Sequence, residues 1–396
     1  MDVDALKAAL CAHIDTHAED LVAVSHAIHA APEEKFAEHR AHDLLCGRIE
    51  AAGLGVERHA FELATAFRSS AGTSGPDIAV MLEYDALPGL GHACGHNIIA
   101  AAGLGAGLAA AALAPDVGGR VTILGCPAEE GGGGKVLMID RGALEGIDAA
   151  MMVHPADADL LTMNAIAFHG LDAVYTGRAA HAAAHPWQGR NALDAAVLGY
   201  MNVAALRQHI APDQRIHGVF TDGGDKPNIV PSRAAMNWYV RAGDLEALED
   251  LKLRVVAALE AGALAAGCEV EITWRDPAYA DLVDNASLAG LYRDNAARLG
   301  RTVLEPDAHR AVVGSTDMGN VSHVVPSIHP MIAVAPAGVG IHTAEFAVHA
   351  AAADGDRAVI DGAKAMAMTI ADLWADPIAL ERVRDSFTTA RAGRGG

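Results

Sequence analysis

The chain has 396 residues, 52% hydrophobic and 20% charged, enough apolar material for a large core divided between two domains and too much for a disordered chain. Its formal net charge of −21 and pI near 5.3 set up a field that repels nucleic acid and anionic membrane, so neither is an expected partner. Five scattered cysteines (Cys11, Cys46, Cys94, Cys126, Cys268) and an acidic start, MDVDALKAAL, point to a reduced cytoplasmic protein with no secretory leader.

In chain order, helical spacing of apolar residues predicts one helix over the first thirty residues, ending before Pro32, and a second from Phe36 to Ala52. Extended segments follow at Val56–Phe61 and Ala64–Ser69, then a buried strand in DIAVMLEYD. The alanine-rich run Ile98–Ala114 is short for the ~20 residues a bilayer demands and reads as a buried helix. RVTILGCPAEE and IDAAMMVHP read as further strands around a helix at Lys135–Leu144. This alternation predicts a mostly parallel sheet covered on both faces.

The middle of the chain reads differently. A strand (Leu171–Thr176), a helix (Asn191–His209), two strands (Ile216–Thr221, Ala234–Arg241), a long helix (Asp244–Ala266) and a last strand (Glu269–Trp274) follow in turn. That β-α-β-β-α-β order is ferredoxin-like. The expected organisation is an α/β domain over 1–167 and 279–396, interrupted by an inserted lid or dimerisation domain over 168–278. DGDRAVIDGAKAMAMTIADLWA reads as a closing helix, and residues 388–396 are expected to fray.

Ligands of parallel sheets gather beyond the carboxyl ends of strands. There this chain places His92, Cys94 and His96 in EYDALPGLGHACGHN, then Glu129 and Glu130 in PAEEGGGGK, and His154 in MMVHP; His342 lies in a later turn, GIHTAEF. Taken singly, each is an ordinary turn or strand-end residue. Together, a thiolate, imidazoles and a carboxylate suit one or two first-row divalent ions, with the second carboxylate left as a base for an activated water. Spacing does not distinguish Glu129 from Glu130. GGGGK is not a phosphate loop, because Glu129 and Val136 stand where that pattern needs Gly and Ser or Thr. Two other readings remain open at this level: Cys94 or Cys126 as a nucleophile activated by histidine, and a non-catalytic binding protein.

These motifs, with GRAAHAAAHPWQGRNALDAA, GGDKPNIVPSRAAM and GSTDMGNVSHVVPSIHP in the same order, resemble the metal-dependent aminoacylase and carboxypeptidase family, peptidase family M20. Within it they are similar to the amidohydrolase branch of hippurate, aminobenzoyl-glutamate and β-alanyl dipeptide hydrolases, and the likeness runs from about Ile78 to Phe346. The resemblance implies two divalent ions, zinc or manganese with cobalt as a further option, on Cys94, His96, Glu130, His154 and His342, Cys94 bridging. It implies Glu129 as general base and Asp85 as support for the metal site. It further implies His181 polarising the scissile carbonyl across a homodimer, and Asn228 and Arg241 holding a small N-acyl amino acid or dipeptide. Taken alone, Arg241 reads equally as a strand-end surface residue and Asn228 as a turn residue. Glu83 stands where the wider family has a histidine, and Asn97 where hippurate-type members have an aspartate. The amidohydrolase branch generally lacks that histidine and uses the Cys-Gly-His pair instead, while Asn97, with EYDALPG, makes the chain resemble the aminobenzoyl-glutamate and dipeptide hydrolases more closely.

Overall fold

The computed structural model describes residues 2–306 and 313–392. The chain divides into two compact units: residues up to Asn164 together with those from Leu282 onward, and Ala165–Asp281.

The first unit is built on a six-stranded sheet in the order Glu57–Arg58, Phe67–Ala71, Arg120–Cys126, Asp77–Glu83, Ala149–Met151, Ser327–Ile328. The last four strands run parallel, and the first two join antiparallel. Every residue of Asp77–Glu83 is buried, as a central parallel strand covered on both faces requires. The alanine-rich helix His96–Val117 packs against the sheet and against the long helix Ala353–Ala375. Its small residues permit the close approach: a Cβ on Gly107 would stand 2.6 Å from Ile123 of the neighbouring strand. Burial of this helix in the core explains its hydropathy without a bilayer.

Several boundaries differ from expectation. The first thirty residues form two helices, Val3–Thr16 and Ala18–Ala30, broken at His17, whose N–H bonds back to Ile14 and whose carbonyl starts the next helix. The second expected helix begins only at His39, because the Glu38 carboxylate accepts the Phe36 N–H and Phe36 itself takes a positive φ. The segment at 56–61 has only the short strand Glu57–Arg58, followed by a tight turn with positive φ at His59 and Phe61. The strand expected at 147–155 is broken after Met151 and resumes as His154–Ala156 beside Met331–Ala333. A final helix, Pro377–Ala392, takes up part of the stretch expected to fray; buried Ala379, Leu380 and Val383 anchor it, and the rest of that stretch lies outside the described residues.

The second unit is a four-stranded antiparallel sheet ordered Glu269–Tyr279, Ala167–Thr176, Arg233–Ala242, Arg215–Asp222. Helices Ala192–Leu206 and Leu245–Ala266 pack on one face around Trp238, Tyr175 and Leu259. Asn191 and Asp244 cap these helices by accepting first-turn amide N–H groups, as their residue types favour. The order is βαββαβ.

Candidate metal centre

The strand Asp77–Glu83 delivers Glu83, and Asp85 lies two residues beyond it; the turn that follows brings Cys94 to the start of the helix His96–Val117. Gly95 makes that turn possible: it has φ +78°, and a Cβ there would come within 2.8 Å of Pro155. Cys94 and His96 thereby lie close against the neighbouring strand, where His154 stands. Cys94 Sγ is 3.4 Å from His154 Nε2. His342, in a left-handed backbone conformation, is tied to the same turn by its N–H, which donates to the Ala93 carbonyl at 2.8 Å. Its Nε2 lies 3.2 Å from Glu130 Oε1.

Two donor groups result, Cys94 with His96 and His154, and Cys94 with Glu130 and His342; within each, the candidate ligand atoms lie within 4.8 Å of one another. A third group joins Glu83, His96 and Glu129. Thus all five residues expected as ligands converge, and Asp85 and Glu129 stand beside them. His92 does not join them. It is buried with its ring 6.1 Å from that of His29, and burial pushes its pKa down to about 3.

Hydrogen bonds set the imidazoles up as ligands. The Asp85 carboxylate accepts from His96 Nδ1 at 3.0 Å, and the Pro155 carbonyl accepts from His154 Nδ1 at 2.7 Å. With the hydrogen on Nδ1, each ring turns its Nε2 lone pair to the centre. Burial drives the His154 pKa down to about 3, so this ring is neutral. Burial, then Glu130, push the Cys94 thiol up, and a cation would be needed to favour the thiolate. Burial, Glu83 and Glu130 together push the Glu129 carboxyl up. Buried His96 Nε2 and Glu83 Oε2 have no hydrogen-bond partner. Orphaned acceptors converging beside a thiol and carboxylates are what a divalent ion would satisfy, so the residues fit the ions the resemblance implies.

Four buried residues at or behind the centre, Lys135, Asp317, His329 and Glu38, carried no role in the sequence reading. Lys135, on the first turn of Gly134–Asp140, donates from Nζ to Glu83 and, at 2.5 Å, to Asp317; all three side chains are fully buried. The Lys135 backbone N–H also donates to Asp317 Oδ2 at 2.8 Å. His329 is buried with its ring 5.1 Å from His154. Glu38 also supports the site from a distance, accepting from Thr65 Oγ1 at 2.7 Å and from the Ala128 N–H at 2.8 Å, just before the carboxylate pair.

In the second unit, His181 is exposed, and its Nδ1 accepts the N–H groups of Ala183 and Ala184 at 3.3 and 3.1 Å. It pairs with Ile229 in an isolated backbone bridge, and beside that bridge the Asn228 carbonyl accepts the Ala182 N–H at 3.0 Å. Arg241 is half-buried with its guanidinium 4.8 Å above the Phe168 ring.

Residues 79–372 match the model of peptidase family M20/M25/M40. The chain is 41% identical over 404 aligned residues to a Xaa-Arg dipeptidase of Mus musculus, covering 98% of this chain and 93% of that one. It is 34% identical over 278 residues to one of the p-aminobenzoyl-glutamate hydrolase polypeptides of Escherichia coli strain K12, covering 65% of this chain and 58% of the relative. Among solved structures it shares its fold with a dinuclear metal-binding peptidase of Bacillus subtilis, at TM-score 0.70 and 18% identity, over 91% of this chain and 99% of that one.

Proposed function

Since the chain belongs to peptidase family M20/M25/M40, in its amidohydrolase branch, and is a hydrolase of peptide-type C–N bonds, we propose that it cleaves the amide bond of a small dipeptide, foremost one with a basic C-terminal residue. The observation that carries this reading is the pair of donor groups sharing Cys94 with Glu129 beside them. The relatives supply the substrate class, and the net charge of −21 favours the approach of a cationic dipeptide over an anionic acyl-glutamate.

In this reading Cys94, His96, His154, Glu130 and His342 hold two divalent ions. Bound there, the ions would acidify a water and polarise the scissile carbonyl. Glu129 takes the proton of the attacking water and returns it to the departing amine, a role suited to a buried carboxyl whose pKa is raised. Asp85 keeps His96 in its ligating tautomer. His181 accepts backbone N–H groups at Nδ1, which leaves the ring hydrogen on Nε2, the donor an oxyanion needs. Asn228 helps hold the substrate, and Arg241 pairs with its carboxylate in bidentate fashion.

A homodimer joined through the second unit is part of the same proposal. Its support is apolar surface on that unit: Val219 and Phe220 are exposed on the edge strand Arg215–Asp222, and Val197, Leu198 and Met201 on the helix Ala192–Leu206. The five free cysteines fit the reduced cytoplasm.

One panel tests the function: enzyme loaded with manganese or zinc against Xaa-Arg and Xaa-Lys dipeptides, β-alanyl dipeptides, aminobenzoyl-glutamate, hippurate and acetylated amino acids, with released amines counted. Preference for basic dipeptides is the expected result. Protein holding two ions that turns over none of the panel would refute the reading.

A further inference from the structure

We propose that Glu83 is itself a ligand of the ion bound at His96, presented as a single oxygen by Lys135 and Asp317. The inference rests on the dinuclear reading above and adds a donor to it.

The geometry starts at His96 Nε2. Three carboxylate oxygens surround it: Glu83 Oε2 at 3.6 Å, Glu129 Oε2 at 3.8 Å and Glu130 Oε1 at 3.9 Å. These separations exceed a hydrogen bond, which for N–H···O runs to about 3.2 Å. They are close to what ligands of one ion adopt, since bonds of ~2.1 Å in a tetrahedron set donor atoms roughly 3.4 Å apart. Of the three, Glu83 is nearest. With the His96 hydrogen on Nδ1, facing Asp85, Nε2 and Glu83 Oε2 are two acceptors turned toward each other in a fully buried place. A cation between them relieves this face-off.

The chemistry behind Glu83 supports the same role. Lys135 occupies Oε1, which leaves Oε2 alone to bind and makes the carboxylate monodentate. Lys135 also holds Asp317, so one buried ammonium is set against two buried carboxylates, and a net negative charge remains beside His96. Asp317 grips Lys135 twice, at the ammonium and at the backbone N–H, which fixes the lysine from both ends. A carboxylate oxygen also hardens the site, favouring manganese there more than the sulfur and nitrogen donors of Cys94, His96 and His154 do alone.

Two measurements decide. In crystals of the wild-type protein soaked with manganese, anomalous peaks should mark two ions, one with Glu83 Oε2 at a bonding distance of roughly 2.0–2.3 Å. Two ions present with Glu83 beyond about 3 Å would overturn the proposal and leave the hydrolase reading standing. No ion at either position in saturating metal would overturn both. In solution, calorimetric titration with manganese of Glu83→Gln should show one of two affinities reduced about 100-fold or more, the other kept. Two wild-type affinities in folded Glu83→Gln would also overturn it; should that variant not fold, the wild-type crystal decides alone.

Discussion

Asp85 accepts the Nδ1 hydrogen of His96 at 3.0 Å, and its second oxygen accepts the Glu130 N–H at 2.9 Å. One carboxylate thus orients an imidazole donor and braces the backbone of a carboxylate donor from a different strand end. In Asp85→Asn one of these two bonds must be lost, because an amide offers a single acceptor oxygen. Affinity for the ion at His96 should fall about 10- to 100-fold by calorimetry, with the fold unchanged by circular dichroism. Wild-type affinity would mean that packing at the helix start, and not Asp85, sets the His96 ring.

Glu129 and Glu130 are adjacent yet differ in surroundings: Glu130 lies 3.2 Å from His342 Nε2, while burial and two neighbouring carboxylates push Glu129 up. Glu129→Gln should therefore retain two ions and lower kcat by ~10²–10⁴, the usual contribution of a positioned base. Stopped-assay kinetics together with metal analysis of the same sample check both halves. Activity within a few-fold of wild type would remove Glu129 from the base role.

What the sequence disclosed was whatever chemistry is local. Cys94 and His96 bracket a glycine at a strand-to-helix turn, Glu129 and Glu130 follow a strand, and the βαββαβ order of the second unit shows in its hydrophobic periods. Local crowding also misled: His92 sits two residues from Cys94, but its ring packs 6.1 Å from that of His29 and it joins none of the donor groups. The Glu83–Lys135–Asp317 network was illegible for the opposite reason. Its members are 52 and 182 residues from Lys135, and a lysine closing a glycine run gives no sign of burial until the strands assemble. The break at His17 is equally silent, because the residues around it are all compatible with helix.

The two amide N–H groups on His181 Nδ1 leave Nε2 as the ring's donor and predict an oxyanion-binding role for it. His181→Ala should lower kcat more than it raises KM, because an oxyanion contact strengthens in the transition state. If active sites are shared between subunits, mixing inactive His181→Ala with inactive Glu129→Gln should regain activity, about a quarter of wild type at equal amounts with free exchange. Verified mixed dimers without recovery would show that each site draws on one chain.

Cys46 and Cys126 are buried, and burial pushes both thiols up to about 12. A thiol so raised is protonated and a poor nucleophile near neutral pH, which weighs against Cys126 as an attacking group. Iodoacetamide at pH 8 on folded protein should label the half-buried Cys11 and Cys268 and spare Cys46 and Cys126, as read by peptide mass spectrometry. Labelling of Cys126 with parallel loss of activity would bring back the nucleophile mechanism.

Asp284, outside the proposed ligand set, offers a test of buried charge. Its Oδ2 accepts from the Thr162 hydroxyl, its Oδ1 is buried without a partner, and burial raises its pKa from the ordinary 3.8 to about 7. The sign follows from linkage: below the unfolded value both states hold the proton and the group contributes its full stability. As pH climbs from there to about 7 the unfolded chain ionises while the folded one does not, and stability is lost at about 1.4 kcal/mol per pH unit. Asp284→Asn cannot ionise in either state. With both proteins saturated in the same metal, the Tm of the variant relative to wild type should rise steadily between pH 5 and 7 and level off above, by roughly 2–4 °C per kcal/mol. A Tm difference that stays flat across that range would mean that the carboxylate ionises freely in the folded protein, through solvent or a cation reaching Oδ1.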